Sequence, residues 1–322
     1  MRRRWFLAGG SALALTARTG LAAQTKGVWG RVAGRPDGGL PVLVLAPPAA
    51  ARGPCPAIIF SHGLGGRAGP FVPVALPWVA AGFVVLLPEH LDSLARGAPR
   101  RPSFLELKRY ALLRIADIKA ILATLPELAG KGDARIVPGA VGVGGHSFGA
   151  WTAAVIAGAT VYMAAGREQS FADPRPRAFL LLAGPPVPPG TNAMHSFQGF
   201  TARSFGDLTR PLLLMDGTRD AAPPGSPGSY RERLAAYALS PPGNKYLGIE
   251  LNGTHMTMAG LAPARDARLV AIARRSLADM HALSLPFWRG FVSGDAERIA
   301  WLNGPAPYGI DPGNLTFERR LG

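Results

Sequence analysis

Val141-Gly142-Val143-Gly144-Gly145-His146-Ser147-Phe148-Gly149-Ala150 constrains the chain more than any other stretch. A short apolar run ends in glycines, a serine follows, and a small-residue stretch from Ala150 to Ala165 reads as a helix. The order is strand, sharp turn, helix, with Gly145-x-Ser147-x-Gly149 at the turn. A serine on such an elbow has its hydroxyl pushed clear of the backbone, and glycines relieve the crowding. The helix that follows aims its positive end at the turn, which favours negative charge developing there. With 41 glycines in 322 residues the five-residue pattern alone is weak, and the flanking strand and helix give it meaning.

The rest of the chain alternates short apolar runs with helical stretches. Strand candidates are Val28–Val32, Pro41–Leu45, Ala57–Phe60, Phe83–Leu87, Phe179–Ala183, Pro211–Met215 and Tyr246–Leu251, the last of these expected to end the sheet. A helix closes at Trp78–Gly82. Ser103-Phe104-Leu105-Glu106 has the form of a capping box. The helix it opens repeats Ala111, Ile115, Ile118, Leu122 and Leu125 on one face, with Pro126 and Gly130 ending it. Further helices are expected over Ser229–Leu239, Arg265–Leu283 and Asp295–Leu302. Continuous apolar strands between helices predict an α/β fold with a mostly parallel sheet, helices covering both faces.

Residues 1–23 read as an export leader. Arg2-Arg3-Arg4 precede Trp5-Phe6-Leu7, a modest apolar run reaches Leu15, and small residues end at Leu21-Ala22-Ala23. The run is too short to span a bilayer, and the Arg-Arg-Trp-Phe-Leu order resembles a twin-arginine signal. The expectation is export to the periplasm or beyond, without a stable membrane anchor. Residues 24–322 then form a single domain. Its proline-rich segment 184–207, with Met194 and three phenylalanines, is the candidate cap, expected to pack over something.

The net charge of +15 comes mostly from arginines scattered along the chain, four of them (Arg2, Arg3, Arg4, Arg18) in the leader. No dense basic patch interleaved with aromatics is present, which argues against nucleic acid as a partner. Cys55 is the only cysteine, so neither an internal disulfide nor a thiolate metal site can form. No His/Asp/Glu spacing reads as a metal site, and no cofactor is expected.

A serine hydroxyl is a poor nucleophile without a base, and the base needs an orienting carboxylate. Three strand ends supply these types: Ser147, an aspartate after Met215, and His255. That Ser…Asp…His order is the one expected of an α/β-hydrolase. Of the two aspartates, Asp220 lies beyond the turn at Gly217 with more reach, while Asp216 sits where it can bond its own backbone. His255 follows a terminal strand in a glycine-containing loop. His281 lies inside a helix, His146 is expected to point away from the serine, and His62 to brace the glycine loop Ser61–Gly66. His90 and His195 carry no assignment. Backbone N–H groups of Phe148 and of Leu64 in that glycine loop are the candidate donors to a developing oxyanion.

Phe-Ser-His-Gly-Leu-Gly (60–65) together with Gly-His-Ser-Phe-Gly (145–149) resembles the bacterial relatives of platelet-activating-factor acetylhydrolase. These are grouped with dienelactone-hydrolase-like and polyester-degrading serine hydrolases. The similarity runs from about Pro56 to Leu302. It implies an α/β-hydrolase fold, no metal, and cleavage of carboxylic esters of small molecules. Within it, Ser147 matches the nucleophile, His255 the base, and Leu64 and Phe148 the oxyanion positions. Two departures stand out. The acetylhydrolases of that type carry the acid after the strand that follows the nucleophile helix, but here that strand ends Leu182-Ala183-Gly184-Pro185. Asp220 matches instead the pattern of bacterial polyesterases and general esterases. Dienelactone hydrolases proper use a cysteine where this chain has Ser147. Lipase, polyesterase or amidase activity on the same fold, or a non-catalytic binding protein, are the alternatives.

Overall fold

Alternate residues of each central strand enter different cores. Ala57 and Ile59, Val84 and Leu86, Phe179 and Leu181, and Leu212 and Leu214 join one buried cluster. Their neighbours Ile58 and Phe60, Val85 and Leu87, Leu180 and Leu182, and Leu213 and Met215 join the other. A strand apolar on both sides is stable only between two covering layers, and the computed structural model has that arrangement. It describes residues 27–33, 38–48, 53–162, 167–187, 199–220, 229–305 and 313–322. The expected leader, Met194, His195 and the middle of segment 184–207 lie outside the described residues.

The strands are β1 (Gly27–Val32), β2 (Leu40–Leu45), β3 (Cys55–Ser61), β4 (Val84–Pro88), β5 (Ile136–His146), β6 (Val161–Tyr162), β7 (Glu168–Gln169), β8 (Ala178–Leu182), β9 (Leu212–Gly217), β10 (Lys245–Glu250) and β11 (Leu315–Arg320). Nine of them form one sheet in the order β1-β2-β4-β3-β5-β8-β9-β10-β11, while β6 and β7 pair separately. The pairs from β4 to β10 are parallel; β1 and β2 at one edge and β11 at the other are antiparallel to their neighbours. This is the mostly parallel α/β arrangement expected from the sequence.

The helices are α1 (Val72–Ala80), α2 (Phe104–Ala123), α3 (Leu125–Gly130), α4 (Phe148–Ala157), α5 (Ala235–Ala238), α6 (Ala267–Phe291) and α7 (Ala296–Asn303). Helices α2 to α5 contribute to the first core, and α1, α6 and α7 to the second. Ser103 and Glu106 form the expected capping box at the start of α2.

Five boundaries differ from the sequence reading. The helix after Ser147 stops at Gly158, whose φ of 129° lies outside helical space. The helix from Ser103 breaks at Thr124, and Pro126 falls in the first turn of a new helix, where its missing N–H costs nothing. The expected Ser229–Leu239 helix is a 3₁₀ turn followed by one α turn. Helix α6 continues through Pro286 to Phe291. An internal proline costs about 3 kcal/mol, but Phe287 and Trp288 are both fully buried, and each contributes about 1.5–3 kcal/mol. Finally, β10 is not the last strand, because β11 pairs along its outer edge. In the described part of segment 184–207, Phe200 and Phe205 are buried. Phe200 packs 6.0 Å from Trp151 of α4.

Candidate active site

Ser147 sits between β5 and α4 with φ 57° and ψ −115°, backbone angles a non-glycine residue adopts only where its surroundings impose them. The imposition comes from packing on both sides. A Cβ on Gly149 would lie 2.1 Å from the Ser61 carbonyl oxygen, and one on Gly145 would lie 2.3 Å from the Gly149 carbonyl carbon. The elbow therefore presses against β3 and against the first turn of α4, with no room for a side chain at either glycine. Ser147 N–H donates to Leu182 O at 2.9 Å, which pins the turn to β8.

The loops after β9 and β10 are laced together. Thr218 N–H donates to Glu250 O at 3.0 Å and Arg219 N–H to Gly253 O at 2.9 Å. Asn252 N–H donates to Thr218 Oγ1 at 2.9 Å. A Cβ on Gly217 would lie 2.2 Å from the Gly253 carbonyl carbon, so the loops cross backbone to backbone. That crossing brings Asp220 beside His255.

The structure brings the three expected side chains into one line. His255 Nε2 lies 2.9 Å from Ser147 Oγ, and His255 Nδ1 lies 2.8 Å from Asp220 Oδ2. Asp220 is buried, while Ser147 and His255 are partly exposed. With the Nδ1 proton directed at the carboxylate, Nε2 presents its lone pair to the serine hydroxyl. A bound carbonyl could be attacked by Oγ as the imidazole removes its proton.

Asp220 has a cation of its own. Arg233 Nε donates to the Asp220 carbonyl oxygen at 3.1 Å and stands 3.0 Å from Asp220 Oδ1 as an ion pair. Its Nη1 donates to Gly184 O at 2.7 Å. Asp216 is buried below Asp220 and accepts the Gly217 N–H at 2.7 Å, the backbone bond expected of it. Burial first, and then the charge of Asp220, push the Asp216 carboxyl well above the usual carboxylate range. The two carboxyls meet side chain to side chain, a contact that is a hydrogen bond only when one of them carries a proton. Asp216, whose carboxyl burial holds against ionising, is the one that carries it.

His146 corrects an expectation. Its ring does not point away from the site: Nε2 donates to the His255 carbonyl oxygen at 2.7 Å, and the two rings lie 4.8 Å apart. The reason is that His146 ends β5 on the side covered by Phe71, whose ring is 5.9 Å away. Burial, and secondly the nearby His255, lower the His146 imidazole to about 3. It is a neutral donor.

His62 does brace the glycine loop. His90 N–H donates to its Nε2 at 3.1 Å, which leaves the proton on Nδ1 to donate to Gly63 O at 2.7 Å. Burial, followed by Arg114, lowers it to about 3. Beneath lies a second chain of polar groups. His90 Nδ1 donates to Asp117 Oδ2 at 2.7 Å, and Ser61 Oγ donates to His90 Nε2 at 3.0 Å. All three are buried. Gly63 lies against the serine, since a Cβ built there would be 3.2 Å from Ser147 Cβ. Leu64 is therefore adjacent to Ser147 and exposed, and Phe148 opens α4, so its N–H lies at the positive end of that helix.

Arg233, Arg114 and the Ser61–His90–Asp117 chain were missed from the sequence. Arg114 and Asp117 did leave a signal, because both fall on the apolar face of α2 among Ala111, Ile115, Ile118 and Ile121. Charges on a buried stripe require partners. Among the described residues, no group of three His, Cys, Asp or Glu side chains could hold a metal ion, and no helix is long and apolar enough to cross a membrane.

No protein-family model matches the chain, and no curated protein matches it. Among solved structures it is similar to TT1662 from Thermus thermophilus, with 19% sequence identity and a TM-score of 0.51 over 82% of this chain and 98% of that one. At that identity the likeness is one of fold: both chains are built on the α/β plan.

Proposed function

We propose that the protein is a serine hydrolase that cleaves carboxylic esters through an acyl-enzyme. The observation that carries this reading is the unbroken line Ser147 Oγ–His255 Nε2, His255 Nδ1–Asp220 Oδ2, at 2.9 and 2.8 Å. Ser147 Oγ attacks the ester carbonyl while His255 takes its proton, and Asp220 steadies the resulting imidazolium. The carbonyl oxygen becomes an oxyanion received by the N–H groups of Leu64 and Phe148. The tetrahedral species collapses as the C–O bond to the alcohol breaks, and His255 returns the proton to the departing alkoxide. Water, deprotonated by His255, then attacks the acyl-serine and releases the acid. No step calls for a cofactor.

The half-exposed side chains of Leu64 and Met256, next to the oxyanion loop and the base, favour esters with an apolar acyl or alcohol part. The twin-arginine-like leader supports a place of action outside the cytoplasm.

The test is hydrolysis of p-nitrophenyl esters of increasing acyl length together with covalent labelling by a fluorophosphonate. Ser147→Ala should abolish labelling and lower kcat by about 10⁶. A variant that keeps more than about a tenth of the wild-type rate would end the assignment.

A further inference from the structure

Arg114 is the most deeply embedded cation near the candidate site, 1% exposed. Its guanidinium is directed at the loop that carries Leu64. Nη1 donates to His62 O at 2.8 Å and Nη2 to Gly63 O at 3.2 Å. Nε and Nη2 each donate to one oxygen of Asp92 at 2.8 Å, and Asp92 Oδ2 also accepts the Gly65 N–H at 3.3 Å. The flat face of the same guanidinium lies 4.5 Å from the centre of the Phe148 ring. One side chain thus touches both segments that flank Ser147.

The bond to Gly63 O has a geometric consequence. The carbonyl of Gly63 and the N–H of Leu64 are opposite ends of one trans peptide unit, so fixing one end aims the other. That carbonyl accepts from Arg114 Nη2, from His62 Nδ1 at 2.7 Å and from Gly66 N–H at 3.0 Å. Three donors draw it into the protein, and the Leu64 N–H is turned the other way, to the open side of the loop beside Ser147. A loop containing Gly63, Gly65 and Gly66 has little conformational preference of its own to hold that direction. An oxyanion donor is effective only when it is already aimed before the charge develops.

Asp92 keeps the cation in place. Burial works against its ionised form, yet the Arg114 guanidinium overcomes this and holds the carboxyl below the usual range. The pair is ionised, bidentate and dry, the geometry in which an arginine is held most rigidly.

We infer that Arg114, clamped by Asp92, is the positioning residue of the oxyanion hole: it turns the Gly63–Leu64 peptide toward the substrate and ties that donor to the Phe148 segment. The inference rests on the hydrolase reading above. Arg114 touches no reacting atom, and it acts through the two backbone donors.

The experiment compares Arg114→Met and the charge-balanced double variant Asp92→Asn/Arg114→Met with wild type. The double variant matters because removing the cation alone strands a buried carboxylate, whereas removing both charges is better tolerated. Rates of p-nitrophenyl acetate hydrolysis are expressed per active site titrated with a fluorophosphonate, and folding is checked by circular dichroism and melting temperature. Phenylboronic acid, whose tetrahedral adduct on serine places an oxygen in the oxyanion position, reports on the hole itself. The expected result for folded enzyme is a fall in kcat of about 10²–10³, the scale of one lost oxyanion donor, with boronate affinity falling in parallel. KM should stay within about threefold of wild type, because the ground-state ester does not depend on the donors. A folded double variant with kcat per site and boronate affinity both within about threefold of wild type overturns the role of Arg114. So does a loss confined to the fraction of titratable sites. If wild type itself shows no hydrolysis that Ser147→Ala removes, the hydrolase reading fails, an outcome distinct from active wild type with unimpaired variants.

Discussion

His146 donates its Nε2 proton to the carbonyl oxygen of His255 at 2.7 Å, and the two imidazoles lie 4.8 Å apart. The residue before the elbow thereby grips the backbone of the residue proposed as the base. The His255 loop is held from two directions, by Asp220 through the ring and by His146 through the main chain.

His146→Leu should therefore loosen the base without removing it. We expect kcat to fall about ten- to a hundredfold and stability to fall by about 1–3 kcal/mol, the cost of leaving a buried acceptor without its donor. Paired measurements of kcat and urea midpoint check this. An unchanged kcat would mean that Asp220 alone suffices to hold the ring.

Asp220→Asn should lower kcat by about 10⁴ while leaving the fold intact, because an amide no longer fixes the His255 tautomer. Asp216→Asn should be mild in both respects. An amide can still accept the Gly217 N–H that Asp216 takes at 2.7 Å, and it can donate to Asp220 as the protonated acid does. Its stability change should stay within about 1 kcal/mol. If Asp216→Asn loses activity and Asp220→Asn keeps it, the two aspartates exchange roles.

Stability between pH 6.5 and 4.5 is set by buried groups whose proton linkages oppose one another. His62 and His146 are held to about 3 in the fold, by burial before anything else. An unfolded imidazole binds its proton near pH 6.5, so below that value the unfolded chain gains protons that the fold refuses. Each histidine then costs about 1.4 kcal/mol per pH unit. Glu250 runs the other way. Burial, with a hydrogen bond to Asp279, raises it to about 7 against the pull of Arg275, so the fold holds a proton that the unfolded chain releases above about 4.5. Its contribution grows on acidification by about the same slope, and Asp216, raised well above its ordinary value by burial, adds a second contribution of the same sign, so the carboxyls offset the histidines. Urea midpoints at pH 6.5, 5.5 and 4.5 should therefore fall more steeply in Glu250→Gln than in wild type, by about 1.4 kcal/mol of stability per pH unit. Parallel midpoint curves for wild type and Glu250→Gln over this range would contradict the assignment.

Gly149→Ala tests how tightly the elbow is packed. The added carbon would stand 2.1 Å from Ser61 O, and neither partner is a flexible side-chain end. The main chain must move, at a cost of about 1–3 kcal/mol or more. Because the displaced segment carries Ser147, kcat should drop by at least about 10². A wild-type melting temperature and rate would show that the contact can relax.

Much of this was legible in the chain. Strands β3, β4, β8 and β9 are continuous apolar runs and read directly as buried strands. The elbow and the order Ser147, Asp220, His255 followed from residue type and from the rule that strand ends gather functional groups. What escaped is instructive. Strand β11, Leu-Thr-Phe-Glu-Arg-Arg, has no apolar run and buries only Leu315, since an edge strand faces the core on one side and is protected by charge. Arg233 reaches Asp220 from the helical turn Tyr230–Leu234, 13 residues further on, a pairing that no local pattern encodes. Strand alternation predicts the face His146 takes but not what fills it, and its ring turns toward His255.

The edge formed by β11 links distant parts of the chain in folding order. Strand β10, which leads directly into the His255 loop, pairs with β9 on one side and with β11, far later in sequence, on the other. Closing that side means bringing remote segments together, the slow kind of contact in folding. Until it closes, β10 presents a bare row of backbone donors and acceptors beside the His255 loop. Appearance of hydrolytic activity during refolding should thus trail the formation of the elbow, and would time the docking of the final strand.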